Sequence, residues 1–131
     1  MTDLFSNVWM LKFKDEWNKE PALSGELGQI KFDSCIAYGF IDEVQPRGVI
    51  KVAKGKVSYA GNYNTEQLDW DLRAEPCDWQ QWVKNPPGII EIGMAYTAQK
   101  LRFIKGDYAS MIKNPRMAGP FITSFGVMSR V

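Results

Sequence analysis

The sequence predicts an α+β domain with one five-stranded, mostly antiparallel sheet and helices packed on one face of it. Apolar residues recur with a helical period in the first 19 positions, and the period changes to two between residues 30 and 74. The later segments are mostly helical, with one short strand among them. A length of 131 residues fits a single domain, 1–131, with one core.

The first element is an amphipathic helix, predicted over residues 3–19. Aromatic residues recur along it at every fourth position and form one stripe: Phe5, Trp9, Phe13 and Trp17. Thr2 or Asp3 can cap this helix, and Pro21 ends it. Residues 23–28 are predicted to be a linker.

Four strands follow, predicted over residues 30–40, 49–53, 56–60 and 68–74. Turn residues at Gln45–Gly48 and at Lys54–Gly55 separate the first three strands. Because each turn signal is local, the four strands are predicted to form a meander. The charged residues of the strands are expected on a solvent face: Lys31, Asp33, Asp69, Asp71 and Arg73.

The second half of the chain is predicted to be mostly helical. Pro76 opens a short helix, and the segment 85–88 ends it. A second helix is predicted over 89–98, a fifth strand over 101–104, and a third helix from its cap at Asp107 to residue 113. The apolar tail, 118–128, is predicted to be the last helix. This order of elements is typical of an α+β domain.

Composition excludes several function classes. Sixteen Lys and Arg against fifteen Asp and Glu give a net charge of +1, which predicts neither nucleic-acid binding nor a basic block for an anionic membrane. The chain has no His and only Cys35 and Cys77, so we expect no metal site, no cofactor and no His-based catalytic relay. Charges near the start and the lack of a long apolar run predict no signal peptide and a cytoplasmic protein. A Cys35–Cys77 disulfide is the less favoured alternative.

Few residues are candidates for chemistry. Asp69 and Asp71 lie two apart on a strand and could share a proton, but Arg73 continues the same row, which favours a solvated strand face. The turn Lys105–Asp107 could hold an anion at a helix start, although Asp107 already supplies a negative cap. The sequence therefore shows no catalytic constellation.

The apolar inventory is the unusual feature. Five Trp, seven Phe and six Met are many for this length, and they are concentrated on the helical segments. Such residues can form an ordinary core, or they can line a deformable apolar cavity, because Met and aromatic walls adapt to irregular ligands. The residues alone leave both interpretations open.

The sequence resembles the sterol carrier protein 2 family over about residues 4–131. The strongest part is residues 100–112 (KLRFIKGDYASMI), which is similar to the closing strand, Gly-Asp turn and following helix of that family. The strand 68–74 leading into the Trp79 and Trp82 helix supports the resemblance, as does Ala95-Tyr96 before the fifth strand.

The resemblance implies a five-stranded sheet with helices over one face and an apolar tunnel between the layers. It implies a non-catalytic lipid carrier whose ligand is fatty acyl, acyl-CoA or sterol-like. We predict seven wall residues: Trp9, Phe13, Trp82, Met94, Phe103, Phe121 and Phe125. The first helix and the tail 118–128 are the predicted lid.

Two other functions are weighed against the carrier. The first is a small cofactor-free isomerase or dehydratase that pairs Asp33 or Asp71 with Tyr38 or Tyr59 in a dry pocket. The second is an interaction module that dimerises or holds a partner helix in an apolar groove. A hydrophobic ligand is the expected partner, and a transient membrane contact and a homodimer are left open.

Overall fold

A five-stranded mixed sheet forms the centre of the fold. The computed structural model describes residues 3–131. The strands are β1 (Ser34–Phe40), β2 (Gly48–Ala53), β3 (Lys56–Asn62), β4 (Trp70–Ala74) and β5 (Arg102–Lys105). Their order is β3-β2-β1-β4-β5, and every neighbouring pair is antiparallel except β1 and β4, which are parallel. The predicted α+β class and mostly antiparallel sheet are confirmed.

The predicted four-strand meander is wrong at β4. The chain leaves β3 at the end of the sheet where Gly48 pairs with Asn62, and β4 begins at the opposite end, where Ile36 pairs with Trp70. The connection 63–69 spans that distance and is fastened to β1 where the Asp69 N–H donates to the Cys35 carbonyl at 2.9 Å. A local turn signal cannot reveal such a crossover, because β4 pairs with β1, which lies far from it in the sequence.

The first strand also begins later than predicted. Lys31 has a φ of 52°, which is incompatible with an extended strand, so the pairing of β1 starts only at Ser34. The remaining strand limits lie within two residues of the predicted ones.

Among residues 3–131, six helices and one π-helical turn cover one face of the sheet. They are α1 (Asn7–Lys19), the π-helical turn Pro21–Gly25, α2 (Glu26–Gln29), α3 (Pro76–Lys84), α4 (Ile89–Thr97), α5 (Tyr108–Lys113) and α6 (Pro115–Met128). Ser6, not Asp3, caps α1, and Thr2 lies outside the described residues. The predicted linker is helical instead, because Leu23 and Leu27 stand four residues apart and are both buried. The Asp107 cap of α5 is confirmed.

The predicted aromatic stripe of α1 lies buried in the core. Two buried indoles also tie the helices to the strands: Trp17 Nε1 donates to the Gly55 carbonyl at 2.9 Å, and Trp79 Nε1 donates to the Gly39 carbonyl at 2.8 Å. Cys35 and Cys77 are free thiols, so the disulfide alternative is not realised. Within residues 3–131, no helix is long and apolar enough to cross a bilayer.

The prediction that the charged strand residues face solvent is wrong for two of the five, Asp71 and Arg73. Asp71 and Arg73 are only 5% and 4% exposed, and the Arg73 Nε lies 2.6 Å from an Asp71 carboxylate oxygen. The same guanidinium donates to the carbonyls of Phe40 and Glu43, at 3.2 and 2.8 Å. The alternation along β4 is present as predicted, but the chain after β1 folds back over this face and buries the pair.

Candidate functional site

An apolar cavity of about 50 Å³ lies between the sheet and the helices. Its floor is formed by Ile36 and Tyr38 of β1 and by Trp70 and Leu72 of β4. The period of two along each strand places alternate residues on one face. The parallel register then sets Ile36 beside Trp70 and Tyr38 beside Leu72, so the four side chains form one continuous surface.

The roof of the cavity comes from helical segments. Met117, Pro120, Phe121 and Ser124 of α6 follow the spacing of one helical face. Met111 of α5 continues this surface. Further wall residues come from the first 32 positions: Trp17, Leu23, Leu27 and Phe32. The cavity is therefore lined by residues from both halves of the chain.

The cavity wall carries almost no polar chemistry. None of its lining residues is charged, and its side-chain polar groups are the hydroxyls of Tyr38 and Ser124 and the Trp17 and Trp70 indole N–H groups. The Ser124 hydroxyl donates to the Phe121 carbonyl at 2.5 Å. Burial raises the pKa of the Tyr38 phenol far above its usual value, which keeps it protonated at neutral pH. The cavity thus suits an apolar occupant.

The seven predicted wall residues are spread over the molecule. Phe121 lines the cavity. Phe125 and Phe103 lie behind it and pack against the Phe121 ring, with centroid distances of 5.4 and 6.0 Å. Trp82 packs against Phe125, one layer further out.

The other three predicted wall residues lie elsewhere. Trp9 and Phe13 belong to a buried aromatic cluster that also contains Phe5 and Tyr38. Met94 is exposed. The seven residues remain predictions as ligand contacts.

The sequence contains usable signals for several wall residues outside the predicted set. Trp70 and Leu72 stand out in the alternation of β4, and Met117 and Pro120 share a helical face with the predicted wall residue Phe121. Trp17 ends the predicted stripe of α1. Leu23 carries no such signal, because it lies in the segment predicted to be a linker.

The structure does not assemble the Asp/Tyr pair of an isomerase. Tyr38 lines the cavity, whereas Asp71 lies on the opposite face of the sheet, paired with Arg73. Asp33 is exposed, and its carboxylate accepts the Lys54 N–H at 2.7 Å. Tyr59 is also exposed. Among residues 3–131, no candidate aspartate reaches the cavity.

The fold is that of sterol carrier protein 2. One crystal structure of sterol carrier protein 2 superposes with a TM-score of 0.78 at 16% identity, covering 98% of this chain and 99% of that one. A conserved protein of Thermus thermophilus, for which a sterol carrier identity has been suggested, gives 0.73 at 14% identity over 99% and 90% of the chains. A ubiquinone synthesis protein, UbiJ-SCP2, gives 0.57 at 8% identity over 91% and 86%.

The likeness rests on three-dimensional structure rather than on sequence. No protein-family model matches the chain, and no curated protein matches it in sequence. The chain is therefore a sterol carrier protein 2-like domain in its fold, as the resemblance of residues 100–112 and their neighbours predicted.

Proposed function

We propose that this protein is a non-catalytic carrier that binds a fatty acyl or sterol-like ligand between its sheet and its helices. The observation that carries the proposal is the apolar cavity, which has no charged side chain on its wall. The fold supports it, because the similar structures include sterol carrier protein 2. The absence of His from the sequence and the separation of Asp71 from Tyr38 speak against acid–base catalysis at this site.

The size of the cavity requires that a ligand displace part of the roof. A small-molecule site usually has a volume of about 300–1,000 Å³, and the present cavity has about 50 Å³. A chain with ~14 buried methylenes gains ~11 kcal/mol from leaving water. Association and ordering cost ~4–15 kcal/mol, so the net gain is at most ~7 kcal/mol, a dissociation constant of ~10 μM, which suits release as well as binding.

We infer that α6 moves when the ligand enters, and that α1 stays in place. α1 is fastened to the sheet by its buried aromatic stripe and by Asn18, which accepts the Val57 N–H at 2.8 Å and donates to the Val57 carbonyl at 3.0 Å. In α6, Pro120 sits inside the helix and has no N–H for the carbonyl four residues before it. Of the two predicted lid segments, we therefore favour the tail.

Quenching of intrinsic fluorescence tests the carrier proposal, because Trp17 and Trp70 both line the cavity. A brominated fatty acid should quench the emission saturably, with half-saturation below about 100 μM. Met117→Glu places a carboxylate on the roof and should weaken binding at least about tenfold, since burying an unpaired charge is costly.

The matched control is Val44→Glu, which changes an exposed residue in a loop away from the cavity and should bind like the unaltered protein. Quenching that does not saturate below about 100 μM, or equal affinities of the two variants, would refute binding in this cavity.

A further inference from the structure

Tyr38 is a buried polar side chain of the cavity wall, and its hydroxyl makes no hydrogen bond with any residue of the range 3–131. The side chain is only 4% exposed. Two other polar residues of the wall are buried, and both already have acceptors: the Trp17 indole N–H and the Ser124 hydroxyl donate to backbone carbonyls at 2.9 and 2.5 Å. Tyr38 is therefore the buried wall residue whose hydrogen-bonding capacity is unused.

The unpartnered hydroxyl borders the cavity. Within residues 3–131, every side-chain nitrogen or oxygen that is sealed from water-sized space has a hydrogen-bond partner. The Tyr38 hydroxyl has none, so it reaches open space, and the space that Tyr38 lines is the cavity. A buried hydroxyl without a partner is costly. A group inside the cavity that accepts a hydrogen bond would recover this cost.

Packing fixes the position of the Tyr38 ring. The ring stacks on Phe5 with centroids 5.6 Å apart. It also meets Phe13 and Trp79 edge-on, with centroids 5.8 and 6.1 Å away. A ring held by three aromatic neighbours presents its hydroxyl at a defined place. A few fixed polar groups in a largely apolar pocket are what orient a ligand and select among ligands of similar size.

The chemistry of the wall favours a neutral acceptor over an ionised one. No lining side chain is charged, and a buried carboxylate or phosphate without a counter-charge is very costly. Burial raises the pKa of the Tyr38 phenol, so the group keeps its proton and remains a donor at neutral pH. One neutral donor is enough for a hydroxyl or carbonyl oxygen, which can accept a single hydrogen bond.

We propose that Tyr38 selects an apolar ligand whose buried end carries one neutral oxygen, a hydroxyl or a carbonyl, that accepts a hydrogen bond from the Tyr38 hydroxyl. This inference rests on the proposed carrier function and narrows the ligand class of the same cavity. A fatty acid can still bind with its chain in the cavity and its ionised carboxylate in water, but it then leaves the Tyr38 hydroxyl without a partner.

Displacement of the brominated fatty acid by three ligands of one chain length tests the inference: tetradecanol, tetradecanone and tetradecane. Tryptophan emission recovers as the quencher leaves, which gives the affinity of each competitor. Tyr38→Phe removes only the hydroxyl, so it should weaken the alcohol and the ketone about fivefold each. It should leave the alkane within about twofold. Tyr59→Phe is the matched control, because Tyr59 is exposed and does not line the cavity, and all three affinities should stay unchanged.

Urea unfolding of the ligand-free variants separates recognition from a structural role. Tyr38→Phe should keep the urea midpoint of the unaltered protein, because no hydrogen bond within residues 3–131 is lost. A lower midpoint would mean that the hydroxyl is bonded within the protein, and would overturn the inference. An equal loss of alcohol, ketone and alkane affinity, or no loss at all, would overturn it while the carrier function stands. Quenching that never saturates would instead remove the carrier function and this inference with it.

Discussion

Replacing Pro120 by Ala should slow the uptake of ligand, because it completes the helix that has to bend. Pro120 is the sixth residue of α6, and its ring nitrogen leaves the Arg116 carbonyl without a helical partner. An alanine at this position supplies the missing N–H. If the roof opens by bending α6 at this point, the new hydrogen bond has to break whenever a ligand enters.

The magnitude follows from that one bond. A backbone hydrogen bond contributes about 1 kcal/mol net, which corresponds to an uptake rate about fivefold lower. The free energy of unfolding should change little. Relief of a helix-interior proline is worth ~3 kcal/mol, but the loss of two packed methylenes costs ~1.6 kcal/mol and the freer unfolded chain costs ~0.4–1 kcal/mol. The rate, not the melting temperature, therefore distinguishes the two proteins.

Stopped-flow mixing with a fluorescent fatty acid measures the rate directly. Pro115→Ala is the matched control, because the same chemical change is made at the first position of α6, where no N–H is needed. We expect Pro115→Ala to take up ligand at the original rate. Equal rates for the two variants would refute bending at Pro120, and would leave another part of the roof to move.

Three further predictions concern stability, measured by urea unfolding. Asp71→Ala leaves the Arg73 guanidinium buried without its counter-charge and should cost about 3–5 kcal/mol; a loss below about 1 kcal/mol would place the pair in solvent. Gly106→Ala should destabilise the protein, because φ of Gly106 is +98° and a Cβ there would overlap the Trp70 ring. Gly119→Ala is the control: nothing lies near a Cβ at this helical position, so the change should stabilise the protein by about 0.5–1 kcal/mol. The opposite order of stabilities would contradict the positive φ of Gly106. The hydrogen bond from Arg47 lowers the pKa of the Glu43 carboxyl from its ordinary 4.5. The ionised Glu43 therefore contributes to the free energy of unfolding above about pH 4.5, and this contribution is lost as pH falls through the folded-state pKa. Because the chain has no His, the free energy of unfolding should be constant between about pH 5.5 and 7. Glu43→Gln should lose less stability on acidification than the unaltered protein. An unchanged slope of stability against pH in that variant would assign the loss to other carboxyls.

The periodicity of apolar residues predicts the helices and strands of this fold better than it predicts which strands pair. The stripe ending at Trp17 and the alternation through Leu72 are local properties of the chain, and both elements are present. Which strand pairs with β4 depends instead on β1, 34 residues earlier in the chain. Nothing in the residues between β3 and β4 shows that the chain crosses the sheet there, so the predicted meander fails at that step.

The burial of Asp71 and Arg73 shows the same limit for side chains. A charged residue on every second position of a strand normally indicates a solvated face. Here the loop after β1 places the carbonyls of Phe40 and Glu43 within reach of the guanidinium, and the pair becomes buried and satisfied. The wall of the cavity is only partly predictable for a related reason, since Leu23 reaches it from a turn whose helical form depends on packing.

The small volume of the cavity makes the free-energy cost of opening the roof depend on what surrounds it. Opening the roof in water would expose Met111, Met117 and Phe121, at a cost of about 1.5–3 kcal/mol for each fully exposed side chain. At a bilayer surface the same side chains would meet acyl chains instead of water, so most of that cost would disappear. Opening of the roof beside an apolar surface would therefore cost least, and an apolar ligand could pass there without crossing water.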